Sequence, residues 1–208
     1  MPENSLQMAI PCDMGQFLLR CDGNLLVRTF SCHTHRSALI RIPGVLYKGC
    51  TSSVNIADCY QLSLTGNVTQ QLDPGFPDSP RQRIEFRSET QVDGSSFKYT
   101  WKQFLYPDVG TTRNFFHLMQ VFSMKDSGPV VTLDAVSGKA TVNDFFRSCT
   151  VTKCPSIDIA SYAGRLTQHT LVVTFGPNGK LSYLVSDPQT KRPLLTYNVT
   201  GYMGSGGS

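Results

Sequence analysis

The feature of this sequence that most restricts its fold is a succession of short apolar segments separated by turn-forming residues, running from Ser53 onward. In Tyr60–Asn67 apolar residues occupy every second position, as expected for a strand with one buried face. Segments rich in proline and glycine interrupt the pattern and are typical of loops and turns, as in residues 72–80, Gly176–Gly179 and Asp187–Pro193. The spacing therefore predicts a chain of roughly ten short strands.

The composition agrees with this prediction, because Thr, Val, Ser, Gly, Phe and Tyr are plentiful and charged residues make up 16% of the chain. A helical turn is expected only near Ser156–Tyr162. The class is therefore all-β, and a two-sheet antiparallel sandwich of jelly-roll type fits best. After Tyr60–Asn67, the predicted strands are Arg83–Thr90, Phe97–Phe104, Asn114–Ser123, Val130–Ala135, Lys139–Val142, Phe145–Ser148, Thr170–Phe175, Leu181–Ser186 and Leu194–Thr200.

The first quarter of the chain reads differently from the rest. Residues 1–52 lack the turn chemistry found later, which predicts an irregular N-terminal extension or a pair of added strands before a domain at residues 53–208. The segment Cys32-His-Thr-His35 has no second ligand pair downstream, so no metal site is predicted.

One predicted strand carries an unusual row of charges. Arg83, Glu85, Arg87 and Glu89 share one face, because strand side chains repeat with period two. Such a row is either an exposed face with cross-strand ion pairs or a face that offers guanidinium groups to an anionic ligand. The net charge of +4 is mild and the basic residues are scattered, so nucleic acid is not an expected partner.

Seven cysteines are present and no pair has the Cys-x-x-Cys spacing, which argues against a zinc ribbon or a thioredoxin-like site. Two closely spaced pairs are disulfide candidates, Cys50–Cys59 and Cys149–Cys154. Disulfides form and persist in oxidising compartments, so the pairs favour a secreted protein.

Two glycosylation sequons, at Asn67 and Asn198, also favour a secreted protein. Residues 1–30 contain no signal-peptide pattern, so the natural start of the protein is expected to differ from the start of this sequence. No apolar run is long enough to cross a membrane.

Several motifs together resemble a known family. The order Arg-x-Glu-x-Arg-Ser-Glu, a return strand with Trp101, and then Phe-His-Leu-Met-Gln is similar to the jelly-roll polysaccharide lyases, particularly fungal glucuronan-lyase-like and alginate-lyase-like proteins. The resemblance covers about residues 58–203. Thr90 stands where the family usually has Leu, and Phe122 where the alginate-lyase form has His.

The resemblance implies a concanavalin-like jelly roll that cleaves an anionic uronic-acid polymer by β-elimination. Such an enzyme removes the proton at C5 of the sugar and breaks the bond from C4 to the leaving oxygen, with donors stabilising the carboxylate. Arg87 and Gln120 match family positions, and His117 is the candidate base. A regular strand would put His117 and Gln120 on opposite faces, so both reach one cleft only if a bulge intervenes.

The remaining candidate residues have roles implied by the same resemblance. Substrate binding is expected from Arg83, Glu85 and Glu89. Tyr99 and Trp101 are either platforms on which sugars stack or aromatic residues of the core or of a sheet edge. The catalytic tyrosine of the family lies in a Tyr-x-Lys-x-Gly-x-Tyr strand, and Tyr197 is the candidate substitute here. This strand would begin near Gly201, so a chain truncated relative to the family is expected.

The resemblance implies no cofactor, although some relatives bind structural calcium. The expected partner is an anionic polysaccharide, with neither nucleic acid nor a membrane involved, and the expected state is a monomer. Two rival functions stay open: a carbohydrate-binding protein without catalysis, and a secreted interaction protein without a sugar ligand.

Overall fold

The computed structural model describes residues 4–9, 39–41, 45–50, 54, 56, 59–64, 85–88, 90–109, 111–114 and 116–206. The chain divides into two compact units, residues 1–89 and residues 90–208. The sequence pattern predicts a boundary between residues 52 and 53.

The described residues of the first unit include five short strands. Three of them lie in residues 1–52, where the sequence predicts an irregular extension or a pair of added strands. Strands β1, β4 and β3 pair in that order, and β2 pairs with β5, all antiparallel. The strands are β1 (Asn4–Ala9), β2 (Leu39–Arg41), β3 (Val45–Lys48), β4 (Tyr60–Leu64) and β5 (Glu85–Arg87).

The second unit contains most of the predicted strands. Its elements are β6 (Ser96–Leu105), β7 (Phe116–Ser123), β8 (Gly128–Val136), β9 (Lys139–Asp144), α1 (Cys149–Thr152), β10 (Ser156–Asp158), α2 (Ile159–Tyr162), β11 (Leu166–Thr174), β12 (Gly176–Ser186) and β13 (Pro193–Met203).

These strands form two antiparallel layers. Strands β13, β12, β11 and β6 follow one another in one layer, called sheet I here, and β10, β9, β8 and β7 form sheet II. The prediction of an all-β chain built from antiparallel sheets is confirmed. Only two helices occur among the described residues, and each has four residues.

The core consists of the side chains that alternate strands present to one face. Along β6 the residues at positions 99, 101, 103 and 105 are buried, and along β11 those at 167, 169, 171 and 173 are buried. On β8, Val131 and Leu133 are fully buried. The Tyr197 hydroxyl of β13 donates a hydrogen bond to Asp144 Oδ2 of β9 at 2.6 Å, which joins sheet I to sheet II through the core.

Two local predictions were wrong, for identifiable reasons. Phe145–Ser148 is not a strand, because the Asp144 carboxylate accepts the backbone N–H groups of Phe146 and Arg147 and ends β9 in a turn. Gly176–Gly179 is not a turn, because it pairs with the end of β13 through a register shift opposite Met203 and Gly201.

Gly179 supplies a test of this packing. A Cβ atom at Gly179 would lie 2.2 Å from the Thr174 carbonyl oxygen and 2.7 Å from Met203 Cβ, so something must shift. We expect Gly179→Ala to lower the free energy of unfolding by about 1–3 kcal/mol, as for other overpacked sites. Urea unfolding followed by circular dichroism measures the change.

Gly128→Ala is the matched control, because the nearest atom to its new Cβ, the Asp126 carbonyl oxygen, is 3.7 Å away. It should change the free energy of unfolding by no more than about 0.5–1 kcal/mol in either direction. Equal urea midpoints for the two variants would show that the contact around Gly179 is not tight.

Candidate functional site

The second unit has a cluster of polar side chains on one face of sheet II. Strand β8 places alternate apolar residues in the core, and the residues between them, Thr132 and Asp134, lie on the other face. Cross-strand pairing adds His117 and Gln120 from β7 and Asn143 from β9. These five residues are called the polar face.

A register shift in β7 brings His117 and Gln120 to the same face. His117 pairs with Asp134, then the register shifts, and Gln120 pairs with Thr132. Three positions separate the two residues on β7, whereas two positions separate their partners on β8. The extra residue reverses the alternation of β7 between these positions, as a β-bulge does. The bulge that His117 and Gln120 need in order to share one face is therefore present.

The Asp134 carboxylate is the centre of the polar face, and its side chain is only 2% exposed. Oδ1 lies 2.5 Å from His117 Nδ1. Oδ2 accepts hydrogen bonds from Thr132 Oγ1 at 2.9 Å and from Asn143 Nδ2 at 2.7 Å. A carboxylate removed from water needs such partners, and three strands supply them here.

The contact with Asp134 fixes how His117 can act. Because Nδ1 faces the carboxylate, any proton transfer between the ring and a ligand would take place at Nε2. The His117 side chain is 27% exposed, and Gln120 is exposed. A buried carboxylate that orients a partly exposed imidazole is the arrangement of a general base with its positioning group.

Tyr197 lies elsewhere, in a second polar cluster within the core. Its side chain is buried, and its hydroxyl donates to Asp144 Oδ2 and contacts Thr152 Oγ1 at 3.1 Å. Arg147 Nε also donates to Asp144 Oδ2, at 2.7 Å. Burial and the hydrogen bond to Asp144 raise the pKa of Tyr197. The structure therefore does not bring Tyr197 to the polar face.

A third polar cluster surrounds His169 in the core, on sheet I. The Tyr162 hydroxyl donates to Gln103 Oε1 at 2.5 Å, and Thr167 Oγ1 donates to the Gln103 carbonyl oxygen. Both hydroxyls then accept from His169 Nε2, which lies 2.9 Å from Thr167 Oγ1 and 3.2 Å from the Tyr162 hydroxyl. His169 Nδ1 accepts from Tyr183 at 2.7 Å. These bonds select the neutral ring with its proton on Nε2.

Burial sets the ionisation of this cluster. It lowers the pKa of His169 to about 3 and raises the pKa of both Tyr162 and Tyr183. The ring of Trp101 stacks on His169 with a centroid distance of 4.7 Å. A neutral, fully paired histidine under an indole ring is a structural element of the core.

The structure does not place the other candidate residues on the polar face. Tyr99 and Trp101 are buried on the core face of β6, and so pack in the interior. The backbone of Glu85 and Arg87 belongs to β5, while Arg83, Glu89 and Asn67 lie outside the described residues. Asn198 is exposed on β13.

Both predicted disulfides are present. Cys50 is bonded to Cys59 in the first unit, with their Cα atoms 5.9 Å apart. Cys149 is bonded to Cys154 in the second unit, with a Cα separation of 4.9 Å, and this bond closes the loop that carries Thr152. Both separations are usual for disulfides.

The comparisons with known proteins gave no relatives: no family model, no curated protein and no solved structure matches the chain. In the part of the chain that the structure describes, no helix is long and apolar enough to cross a membrane. Among the same residues, no group of three or more His, Cys, Asp or Glu side chains is arranged to hold a metal ion.

Asp134 and Asn143 are not among the site residues predicted from the sequence. A signal was available in Val130–Val136, where Thr132 and Asp134 are the only polar residues of an otherwise apolar strand. Two polar residues two positions apart share a face, and an aspartate in such a run requires hydrogen-bond donors nearby.

The His169 cluster predicts how stability depends on pH. The unfolded histidine has a pKa of about 6.5, whereas burial lowers the pKa in the folded protein to about 3. Below pH ~6.5 the unfolded chain therefore takes up a proton that the folded chain does not. We expect this residue to reduce the free energy of unfolding by about 1.4 kcal/mol per pH unit as the pH falls from ~6.5 to the folded pKa of about 3, and to contribute no pH dependence above pH ~6.5.

Two measurements check this expectation. Urea unfolding at several pH values gives the slope, and His169→Gln should have a shallower slope in acid. Two-bond ¹H–¹⁵N spectra at pH 5 should show the neutral Nε2–H form of His169. A ring that takes up its proton near pH 6.5 in the folded protein would contradict the assignment.

Proposed function

We propose that this protein is a jelly-roll polysaccharide lyase-like enzyme that cleaves an anionic uronic-acid polymer, glucuronan or a close relative, by β-elimination. We further infer that it acts outside the cell. Two disulfides and an exposed sequon at Asn198 are compatible with that location. The observation that carries the catalytic part is the pairing of His117 with buried Asp134 on the same face as Gln120.

The proposed reaction uses His117 as the base. Nε2 takes the proton from C5 of the uronide, the electrons of the C5–H bond form the C4–C5 double bond, and the bond from C4 to the leaving oxygen breaks. The imidazolium then returns its proton to the leaving oxygen, so proton and charge balance without another acid. Asp134 favours the imidazolium that forms between these steps, because its carboxylate lies 2.5 Å from Nδ1.

The C5 proton is acidic only when the neighbouring carboxylate is neutralised. We assign this role to the Gln120 side-chain amide, which is exposed on the polar face. Gln120 acts on charge that develops during elimination, so it should affect kcat more than substrate affinity.

A second candidate function is a carbohydrate-binding protein of the same fold without catalysis. The observation that favours it is the position of Tyr197, the residue that the lyase resemblance makes catalytic. Its side chain is 2% exposed and its hydroxyl is bonded to Asp144 in the core. If elimination requires a tyrosine at the cleft, this chain binds the polymer and leaves it intact.

The test is a time course of ultraviolet absorbance on a panel of uronic-acid polymers, because β-elimination leaves an unsaturated, absorbing sugar and hydrolysis does not. We expect absorbance to rise on one polymer. His117→Ala should lower kcat by roughly 10²–10⁴-fold, the usual loss of a general base. Asp134→Asn should lower kcat with little change in KM, because it acts through His117.

Matched variants separate catalysis from folding. Asp158→Asn removes an exposed aspartate that pairs with Lys139 at 3.4 Å, and should leave kcat unchanged. Arg87→Ala tests the lyase resemblance on its own, because the resemblance implies that this variant loses polymer binding and turnover together. A flat absorbance trace from folded protein that still binds polyglucuronate would reject the lyase and favour the binding protein.

A further inference from the structure

The four strands of sheet I have an unusual distribution of charge. They contain three lysines, Lys98, Lys102 and Lys180, and no aspartate, glutamate or arginine. Ion pairs elsewhere in the described residues involve other groups, and none of the three lysines is in one. Positive charge on this sheet is therefore not neutralised by its own strands.

All three lysines lie on the face of sheet I that is turned away from the core. The core residues of β6 are at odd positions from 99 to 105, so Lys98 and Lys102 are on the other face. The same alternation places Lys180 of β12 on that face. Lys98 and Lys180 are exposed and Lys102 is half-buried. This surface is called the lysine face.

Side chains that form hydrogen bonds fill the space between the lysines. Lys98 pairs with Val172, which pairs with Ser182, which in turn pairs with Asn198. The next row runs from Ser96 through Thr174 and Lys180 to Thr200. Hydroxyl and amide groups therefore lie beside the ammonium groups over most of the face.

The geometry of the sheet spreads the charges over a long, flat surface. Four residues along β6 separate Lys98 from Lys102 by about 13 Å, and two strand spacings separate Lys98 from Lys180 laterally by about 10 Å. A small anion would contact one lysine only, whereas an extended polyanion can contact all three.

We propose that the lysine face is a second binding site, which anchors an anionic polysaccharide chain away from the polar face. Its lysines pair with sugar carboxylates, and its serine, threonine and asparagine side chains bond to sugar hydroxyls. The polymer class is the one in the proposed function, but anchoring itself requires no catalysis.

The composition of the face distinguishes this ligand from two other polyanions. A membrane surface would need apolar side chains to insert, and on this face the one exposed large apolar residue is Val172, at 36%. Single-stranded nucleic acid would need exposed aromatic rings for stacking. Tyr99, Trp101 and Tyr183 are buried on the core side, and Phe104, the aromatic residue of β6 on the lysine face, is half-buried with its ring against Tyr106. Hydroxyl and amide groups beside lysines fit a sugar polymer better than either.

The sequon at Asn198 bears on how the site would be used. Asn198 and Thr200 are exposed on the lysine face, at its β13 side. A glycan on Asn198 would stand beside Ser182 and Lys180 and would hinder a polymer there. Protein without this glycan should therefore bind the polymer more tightly than glycosylated protein.

The test measures binding of the full chain to polyglucuronate, with Asn198→Gln to remove the glycan and His117→Ala to prevent turnover. Into this background we introduce Lys98→Gln, Lys102→Gln and Lys180→Gln together. We expect the dissociation constant to rise by roughly tenfold, as for the loss of several exposed charge contacts. The control carries Lys125→Gln, Lys153→Gln and Lys191→Gln, which changes net charge equally at other exposed positions.

The outcomes separate the two proposals. Equal weakening by both triple variants, or none by the first, would overturn the lysine face and leave the lyase proposal standing. Absence of an ultraviolet signal would reject the lyase and leave the binding measurement valid. Tighter binding of anionic vesicles or single-stranded DNA than of polyglucuronate would overturn the assignment to polysaccharide.

A second readout locates the contact. Amide ¹H–¹⁵N shifts during titration with a short polyglucuronate fragment should change at Lys98, Lys180 and Ser182 in the His117→Ala protein. Shifts confined to the polar face would show that the polymer is held there alone and would overturn the second site.

Discussion

The polar face of sheet II depends on one buried charge, the carboxylate of Asp134. A carboxylate at this depth is costly unless donors replace the water it loses. Thr132, Asn143 and His117 face it from β8, β9 and β7, so one group connects three strands. The same bonds that satisfy Asp134 also hold the imidazole of His117 in one orientation. The hydrogen bonds that stabilise the buried carboxylate are therefore the ones that orient His117 for proton transfer.

The register shift in β7 decides which residues can join that arrangement. Without the extra residue, Gln120 would lie on the face opposite His117, and no ligand could meet both. The shift occurs between His117 and Met119, directly beside the pair with Asp134. Bulges commonly re-aim side chains next to functional sites, and this one places an exposed amide near a partly exposed imidazole.

Polar groups in the core have a different role from those on the polar face. The cluster around His169 is fully buried, and burial keeps its histidine neutral. Tyr197 and Arg147 share Asp144 and link the two sheets. These groups are bonded to one another rather than directed toward a ligand. The groups that a ligand can reach differ between the two sheets: His117 and Gln120 on sheet II, and unneutralised lysines on sheet I.

The sequence by itself determined the all-β class, most strands of the second unit and both disulfides. Alternating apolar residues, turn residues and closely spaced cysteines can be read from the sequence because each depends on residues that are near one another along the chain. Only the tertiary structure decided which candidates meet. Strand register, which brings Asp134 to His117, depends on pairing between residues distant along the chain, and a shift of one residue changes every face. Burial, which places Tyr197, Tyr99 and Trp101 in the core, depends on what packs above each strand, and no single-strand pattern contains that information.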